Sequence, residues 1–226
     1  MVNPLTALSL GFSGWILVMG LNTPVVSAAV IAAALIVGTA KTRNASLIVA
    51  VGLLAAPVVA SMVLIHAPYG EERIAPLLTA DGLRVAGELA LRFTALISSL
   101  LAASAFVRVP DLAKALQVLP GGNRISYLAG STLQLFHQGT DRVRIVRDAN
   151  HLKNRPVTLK TAVPHLIMPM LTELLTVGAA RGQALETAGY DLVGRRTVLR
   201  PVHDSRLQQL IRWSVPILCV AVVVWI

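Results

Sequence analysis

The sequence predicts an all-α, polytopic integral membrane protein with about five membrane-embedded helices and two further long amphipathic helices that end in charge. Three observations carry that expectation. Apolar residues make up 55% of the chain, where soluble domains hold roughly 45–50% even with glycine included. Charged residues make up 14%, about half the usual share. Mean hydropathy is +0.69. A soluble chain of 226 residues has too little interior to hide this much apolar surface, so lipid is the solvent for much of it.

The apolar stretches follow in order. Leu5 to Leu21 and Pro24 to Ala40 are separated by Asn22-Thr23 alone. Each is slightly short of the ~20 apolar residues that a bilayer core requires, and together they read as a helical hairpin. The third runs from Ala45 to Ile65, with Pro57 placed to kink it. The fourth spans Gly82 to Val107 and the last Leu210 to Ile226. The N-terminus, Met-Val-Asn-Pro, lacks the positive n-region of a signal peptide, so the first run is expected to be retained.

Charge sets the orientation. The net charge of +9 is uneven: up to Val107 the basic residues are Lys41, Arg43, Arg73, Arg84 and Arg92, and fifteen more lie between Arg108 and Arg212 against seven acids. Basic loops mark the cytoplasmic face. Lys41, Arg43 and Arg108 are therefore expected inside, the Glu71, Glu72 and Asp81 segment outside, and the N-terminus in the cytoplasm. This gives N-terminal transmembrane helices over 1–107, a cytoplasmic helical region over 108–204 and a C-terminal transmembrane helix over 205–226. A nucleic-acid role for the basic block is set aside, because aromatics are 4% and no recognition motif occurs.

The region after Arg108 is not a run of plain spans. "VPDLAKALQVLP" is a short amphipathic helix, begun by Pro110 and ended by Pro120-Gly121-Gly122. In the next segment Ile125, Leu128, Thr132, Leu135, Gly139, Val143 and Val146 recur every three or four residues, the spacing of one helix face. Arg142, Arg144, Arg147 and Lys153 cluster toward its end, and Arg155-Pro156 closes it. Thr158 to Tyr190 repeats the plan, with Pro164 and Pro169 near the start and Arg181, Glu186 and Asp191 near the end. Two helices that begin greasy and end charged read as levers, running from the membrane interior into the cytoplasm with exposed tips.

Catalytic chemistry is sparse. No phosphate-binding G-x-x-x-x-G-K-[ST] loop is present, since "PGGNRIS" lacks the lysine and the spacing. H-E-x-x-H and G-x-S-x-G are absent too. His66, His137, His151, His165 and His203 are scattered, with no i,i+4 pair, so no metal site is expected. The one cysteine, Cys219, excludes an intrachain disulfide and sits among apolar neighbours. Arg84, Glu88 and Arg92 lie at i, i+4 and i+8 on the fourth span. Ionisable groups in a membrane are expensive and mark function by default. Pairing with Glu88 lowers that cost, and placement at the outer interface is the simpler reading.

The run "DGLRVAGELALRFTALISSLLAASAFVRVPDLAKALQVL" resembles the transmembrane (T) component of energy-coupling factor transporters, the EcfT/CbiQ-like family. The shared order is a Gly-Leu start, an Arg-Phe within the span and a P-x-x-L-x-x-A-L short helix. "RIVRDANHLKN" is similar to the family's I-R-x-A-Q-x-x-R-G, and "ALETAGY" to its A-M-E-A-R-G-Y. "NPLTAL" is like D-P-R-T-K-L without its two basic residues. The resemblance covers most of the chain, best from Gly82 to Tyr190.

It implies a non-catalytic subunit of a vitamin or transition-metal importer in a bacterial or archaeal cytoplasmic membrane. Its partners would be two ATP-binding-cassette ATPases, which bind the ATP and Mg, and a small substrate-capturing membrane S-component. No cofactor is implied in this chain. Two Ala-Arg-Gly-type signatures at the ends of cytoplasmic coupling helices would dock on the ATPases. Carried over, the first falls on Leu152-Lys153-Asn154, with Arg155 behind it, so lysine stands for arginine. The second falls on Thr187-Ala188-Gly189, within Glu186 to Tyr190, where the cation is missing. Arg181, Arg195 and Arg196 are its candidate substitutes. The literal Ala180-Arg181-Gly182 lies seven residues earlier, two turns and ~10 Å back along the helix. Other classes remain open: a self-contained secondary transporter or channel lined by Arg84, Glu88 and Arg92, a membrane enzyme, or a purely structural subunit.

Overall fold

The computed structural model describes residues 2–75, 78–118, 122–155, 157–158, 160–192 and 202–225. Their elements are α1 (Pro4–Leu21), α2 (Pro24–Thr42), α3 (Ser46–His66), β1 (Arg73–Ala75), β2 (Leu78–Thr79), α4 (Ala80–Ser104), α5 (Val109–Gln117), α6 (Gly122–Leu152), a π-helical turn (Val163–Ile167), α7 (Met168–Thr187) and α8 (Arg206–Trp225). Helix makes up 81% of the described residues, which are all-α apart from one small antiparallel ladder. Among the described residues, six helices are long and apolar enough to cross a membrane. Five correspond to the apolar stretches read from the sequence. The sixth, Val163–Thr187, is long and apolar enough despite Arg181 and Glu186, the charges that made it read as a lever.

The chain folds as two compact units: residues 1–115 with 201–226, and residues 116–200. In the first unit α4 is the central helix, packed against α1, α2 and α3. The expected α1–α2 hairpin turns tightly at Asn22, which takes the left-handed conformation (φ 49°). Both helices nevertheless pack more extensively on α4 than on each other. The reason is a stripe of small residues on α4: Ala86, Ala90, Ala95, Ser98, Ser99, Ala102 and Ala103 are all buried. Small side chains let membrane helices approach closely, where dispersion and short polar contacts replace the hydrophobic effect. Thus Gly11 faces Ala103, Ser99 Oγ donates to Gly11 O at 2.8 Å, and Trp15 Nε1 donates to Leu96 O at 3.1 Å.

Caps set the element ends. Asn3 accepts from the Leu5 N–H ahead of Pro4, a proline at the helix start where no donor is lost. Thr79 Oγ1 accepts from Gly82 N at the start of α4 and donates to Ala67 O at the end of α3, joining the two helices. Helix α8 lies parallel to α1: Asn3 N donates to Gln208 Oε1 at 2.9 Å, Ser9 Oγ to Arg212 O at 2.7 Å, and Gly20 meets Val223 further on. Arg212 pairs with Asp204 at 2.7 Å, both largely covered.

These contacts make α1 and α4 antiparallel. Lys41, Arg43 and Arg108 therefore lie at one end of the first unit, with the starts of α1 and α8. Glu71, Glu72 and Asp81 lie at the other.

In the second unit α6 and α7 run antiparallel, so advancing along α6 means retreating along α7. Arg124 pairs with Asp191 at 3.8 Å, Arg181 Nη2 donates to Gln138 Oε1 at 3.2 Å, and Arg142 pairs with Glu173 at 2.7 Å. Asn150 Nδ2 donates to His165 O at 2.7 Å. That last bond has a local cause. Pro169 has no N–H to give the carbonyl four residues back, which is His165; the π turn and Asn150 take up the difference.

The antiparallel pair corrects the expectation of two levers running the same way. Ten residues join Leu152 to Val163 and reach at most about 35 Å. The 31-residue α6 is about 45 Å long. The connection is too short to return the chain to the start of α6, and the two charged ends point in opposite directions.

Candidate functional site

The two candidate docking segments share one backbone geometry. At the end of α6, Asn154 is left-handed (φ 52°), Asn154 N donates to His151 O at 3.0 Å, and Arg155 N donates to Asn150 O at 2.9 Å. At the end of α7, Gly189 is left-handed (φ 74°), Gly189 N donates to Glu186 O at 3.0 Å, and Tyr190 N donates to Leu185 O at 2.9 Å. Both are Schellman caps, in which two otherwise unpaired carbonyls of the last turn gain donors. In each the third residue of the segment holds the left-handed position. Glycine fills it at no steric cost, and asparagine is the next most tolerated residue there. The Asn154 departure thus keeps the backbone shape.

The middle residue, Lys153 or Ala188, is the first residue past the end of its helix. That end carries the negative pole of the macrodipole, where a cation is favourable. Lys153 is exposed and has no ion-pair partner among the described residues. An apolar side chain stands open at each end: Leu152 is 88% exposed and Leu192 is 76% exposed. Glu186, Thr187 and Ala188 are exposed as well.

At the second end a cation arrives from the opposite helix. Arg124, in the first turn of α6, lies 3.8 Å from Asp191, and Tyr127 packs on Tyr190 with ring centroids 5.3 Å apart. The arginine and aspartate are 78% and 74% exposed, so their attraction is worth at most about 1 kcal/mol. It holds Arg124 in place without burying it. Sequence reasoning missed Arg124, because the signal is the antiparallel register rather than any local motif. Arg195 and Arg196, the other substitutes considered, lie outside the described residues.

The literal Ala180-Arg181-Gly182 is mid-helix in α7. Gly182 has no left-handed φ, and Arg181 turns across to Gln138 on α6. It shares neither the cap nor the exposed end of the other two segments. Arg181, Tyr127, Tyr190 and Leu185 instead line a polar groove of about 760 Å³ between α6 and α7. A second groove of about 580 Å³, on the far half of α6, gathers Arg144, Arg147, His151 and Arg155 around Asp148.

Of Arg84, Glu88 and Arg92 on α4, Arg84 Nε donates to Glu88 Oε1 at 3.2 Å, with exposures of 82% and 42%. Both lie in the first third of α4, at the acidic end of the unit. Arg92 is half-buried and forms no ion pair with Glu88. The three residues share a face without joining into one network. Among the described residues, no three His, Cys, Asp or Glu side chains gather closely enough to hold a metal. No family model matches the chain, and no curated protein matches it.

Proposed function

We propose that this chain is the transmembrane coupling subunit of an ATP-driven importer of the energy-coupling factor type. It would link two cassette ATPases to a small membrane protein that captures a vitamin or a transition-metal ion. It binds no nucleotide itself; ATP and Mg belong to the ATPases. One observation carries the reading: the same left-handed helix end, with an open leucine and a nearby cation, occurs twice, at opposite ends of one antiparallel helix pair. Two separated, equivalent ends suit two copies of one kind of partner.

In this mechanism Leu152, Lys153, Asn154 and Arg155 form one ATPase contact. Glu186, Thr187, Ala188 and Gly189 form the other, with Arg124 supplying the charge that Ala188 lacks. Closure of the two ATPases on ATP moves the ends of the α6–α7 pair. A helix transmits such a displacement because its backbone hydrogen bonds make it stiff along its axis. The ion pair Arg142–Glu173 and the Asn150–His165 bond keep the two helices moving together. The basic end of the first unit, with Lys41, Arg43 and Arg108, faces the cytoplasm under the positive-inside rule, which places the N-terminus there.

The test is co-expression with cognate cassette ATPases and a six-helix substrate-binding partner, comparing wild type with Lys153→Glu. Wild type is expected to copurify with the ATPases and to support ATP-dependent uptake in vesicles, and Lys153→Glu to lose both. Normal copurification and uptake by Lys153→Glu would remove the first contact. Uptake by the wild-type chain alone, driven by an ion gradient, would replace the whole reading with a secondary transporter.

A further inference from the structure

The first unit carries an apolar groove of about 500 Å³ in which α1, α2 and α4 meet, with Val215 and Cys219 of α8 also on its wall. Gly11, Gly14, Ala33, Ala34, Ala102 and Ala103 are among the small residues that line it. Its two serines have turned their hydroxyls inward: Ser13 Oγ donates to Ser9 O and Ser99 Oγ to Gly11 O, each at 2.8 Å. The wall left facing outward is hydrocarbon.

Length decides what fits. On α1 the groove extends from Ala7 to Leu17, about 15 Å at the helical rise of 1.5 Å per residue. The hydrocarbon core of a bilayer is about 30 Å thick, so the groove spans one leaflet. A transmembrane helix of a partner would need a surface running the full thickness, whereas one acyl chain occupies one leaflet.

The groove also has a charged mouth. Phe106 lines it at the basic end of the unit, and Lys41 Nζ sits over the Phe106 ring, 5.4 Å from its centroid. That cation–π contact holds the ammonium at the mouth. Arg43 follows at the left-handed C-cap of α2 (φ 55°), and neither cation is ion-paired among the described residues. Cations beside the membrane surface attract anionic headgroups.

We infer that this groove binds an anionic phospholipid, with one acyl chain between α1, α2 and α4 and the phosphate held by Lys41 and Arg43. The inference is independent of the coupling role and needs only that the first unit lies in a bilayer. The bound lipid fills a gap that the protein's own small side chains leave open.

The experiment is native mass spectrometry of the detergent-purified full chain, titrated with dioleoyl phosphatidylglycerol or with dioleoyl phosphatidylcholine. Wild type is expected to bind one phosphatidylglycerol about fivefold more tightly for each cation engaged. Lys41→Ala with Arg43→Ala should erase the preference while leaving phosphatidylcholine binding unchanged. Ala33→Phe, at an exposed position on the groove wall, should weaken both lipids by filling the groove. Equal affinity for the two lipids in wild type would overturn the inference. So would a preference that survives loss of both cations, binding unaffected by Ala33→Phe, or a lipid-free dimer that places a second copy in the groove.

Discussion

Glycines distinguish the two units. In the first, a Cβ on Gly11 would sit 2.6 Å from the Ala103 Cβ, and one on Gly14 would sit 2.5 Å from Ser99 Oγ; Gly20 and Gly38 are crowded in the same way. In the second, Gly130, Gly139, Gly178 and Gly182 have no such neighbour within 4 Å. Gly52 and Gly87 of the first unit also face open space, and Gly122 and Gly189 of the second are crowded at helix ends, so the contrast lies in the glycines within α1 and α2 against those within α6 and α7. Burial agrees: α4 buries nine residues, whereas α7 buries none. The first unit is packed against itself. The second is joined by polar bridges, and its helix faces remain available to something outside the chain.

The sharpest way to break this contrast is to fill the first unit. Gly11→Val is expected to lower stability in detergent by about 3 kcal/mol, the upper range for overpacking a close contact, read as a lower midpoint in denaturant unfolding. A smaller shift would mean that α1 and α4 can part easily. Next, Arg212→Ala removes the ion-pair partner of the covered Asp204 and the guanidinium's 3.4 Å bonds to Thr6 Oγ1 on α1, while the Ser9 bond to the backbone carbonyl stays. It should cost about 2 kcal/mol, the range for hydrogen bonds to charged groups, and Arg212→Lys should recover part of that loss.

Two glycine substitutions, one within α7 and one just past its end, have opposite signs. Gly189→Ala forces a Cβ into the left-handed region and should destabilise that helix end by about 1 kcal/mol. Gly182→Ala, five residues short of the helix end, should stabilise the helix by up to about 1 kcal/mol. Amide hydrogen exchange over 182–192 reads both. If Gly182→Ala loosened the helix more than Gly189→Ala, the literal Ala-Arg-Gly would be the special position after all. The smallest effect is assigned to Arg142→Ala, about 0.5 kcal/mol, because Arg142 and Glu173 remain 48% and 35% exposed.

What the sequence made legible follows from range. Apolar runs and basic loops are local signals, so five helices long and apolar enough to cross a membrane, the tight Asn22 turn and the uneven charge could be read directly. That Val163–Thr187 is also long and apolar enough to cross a membrane was obscured by Pro164, Pro169 and its charged end, which fit a lever equally well. The left-handed caps at Asn154 and Gly189 are local as well, but only the backbone hydrogen bonds show that they are the same motif. Nothing local predicts that Arg124 meets Asp191, or that α1 packs on α8 and α4 more than on α2. Those pairings depend on register between distant helices, and small residues signal close approach without naming the partner.

The central claim is that the ends of α6 and α7 each engage a different ATPase. Site-directed cross-linking tests it most directly, in a Cys219→Ser background that removes the one native cysteine. Lys153→Cys and Ala188→Cys are made singly and together, and the chain is purified with differently tagged ATPases. The account predicts that each single variant cross-links to one ATPase and that the double variant yields one chain joined to two. A double variant joined to only one ATPase, or no cross-link from either position, would contradict it.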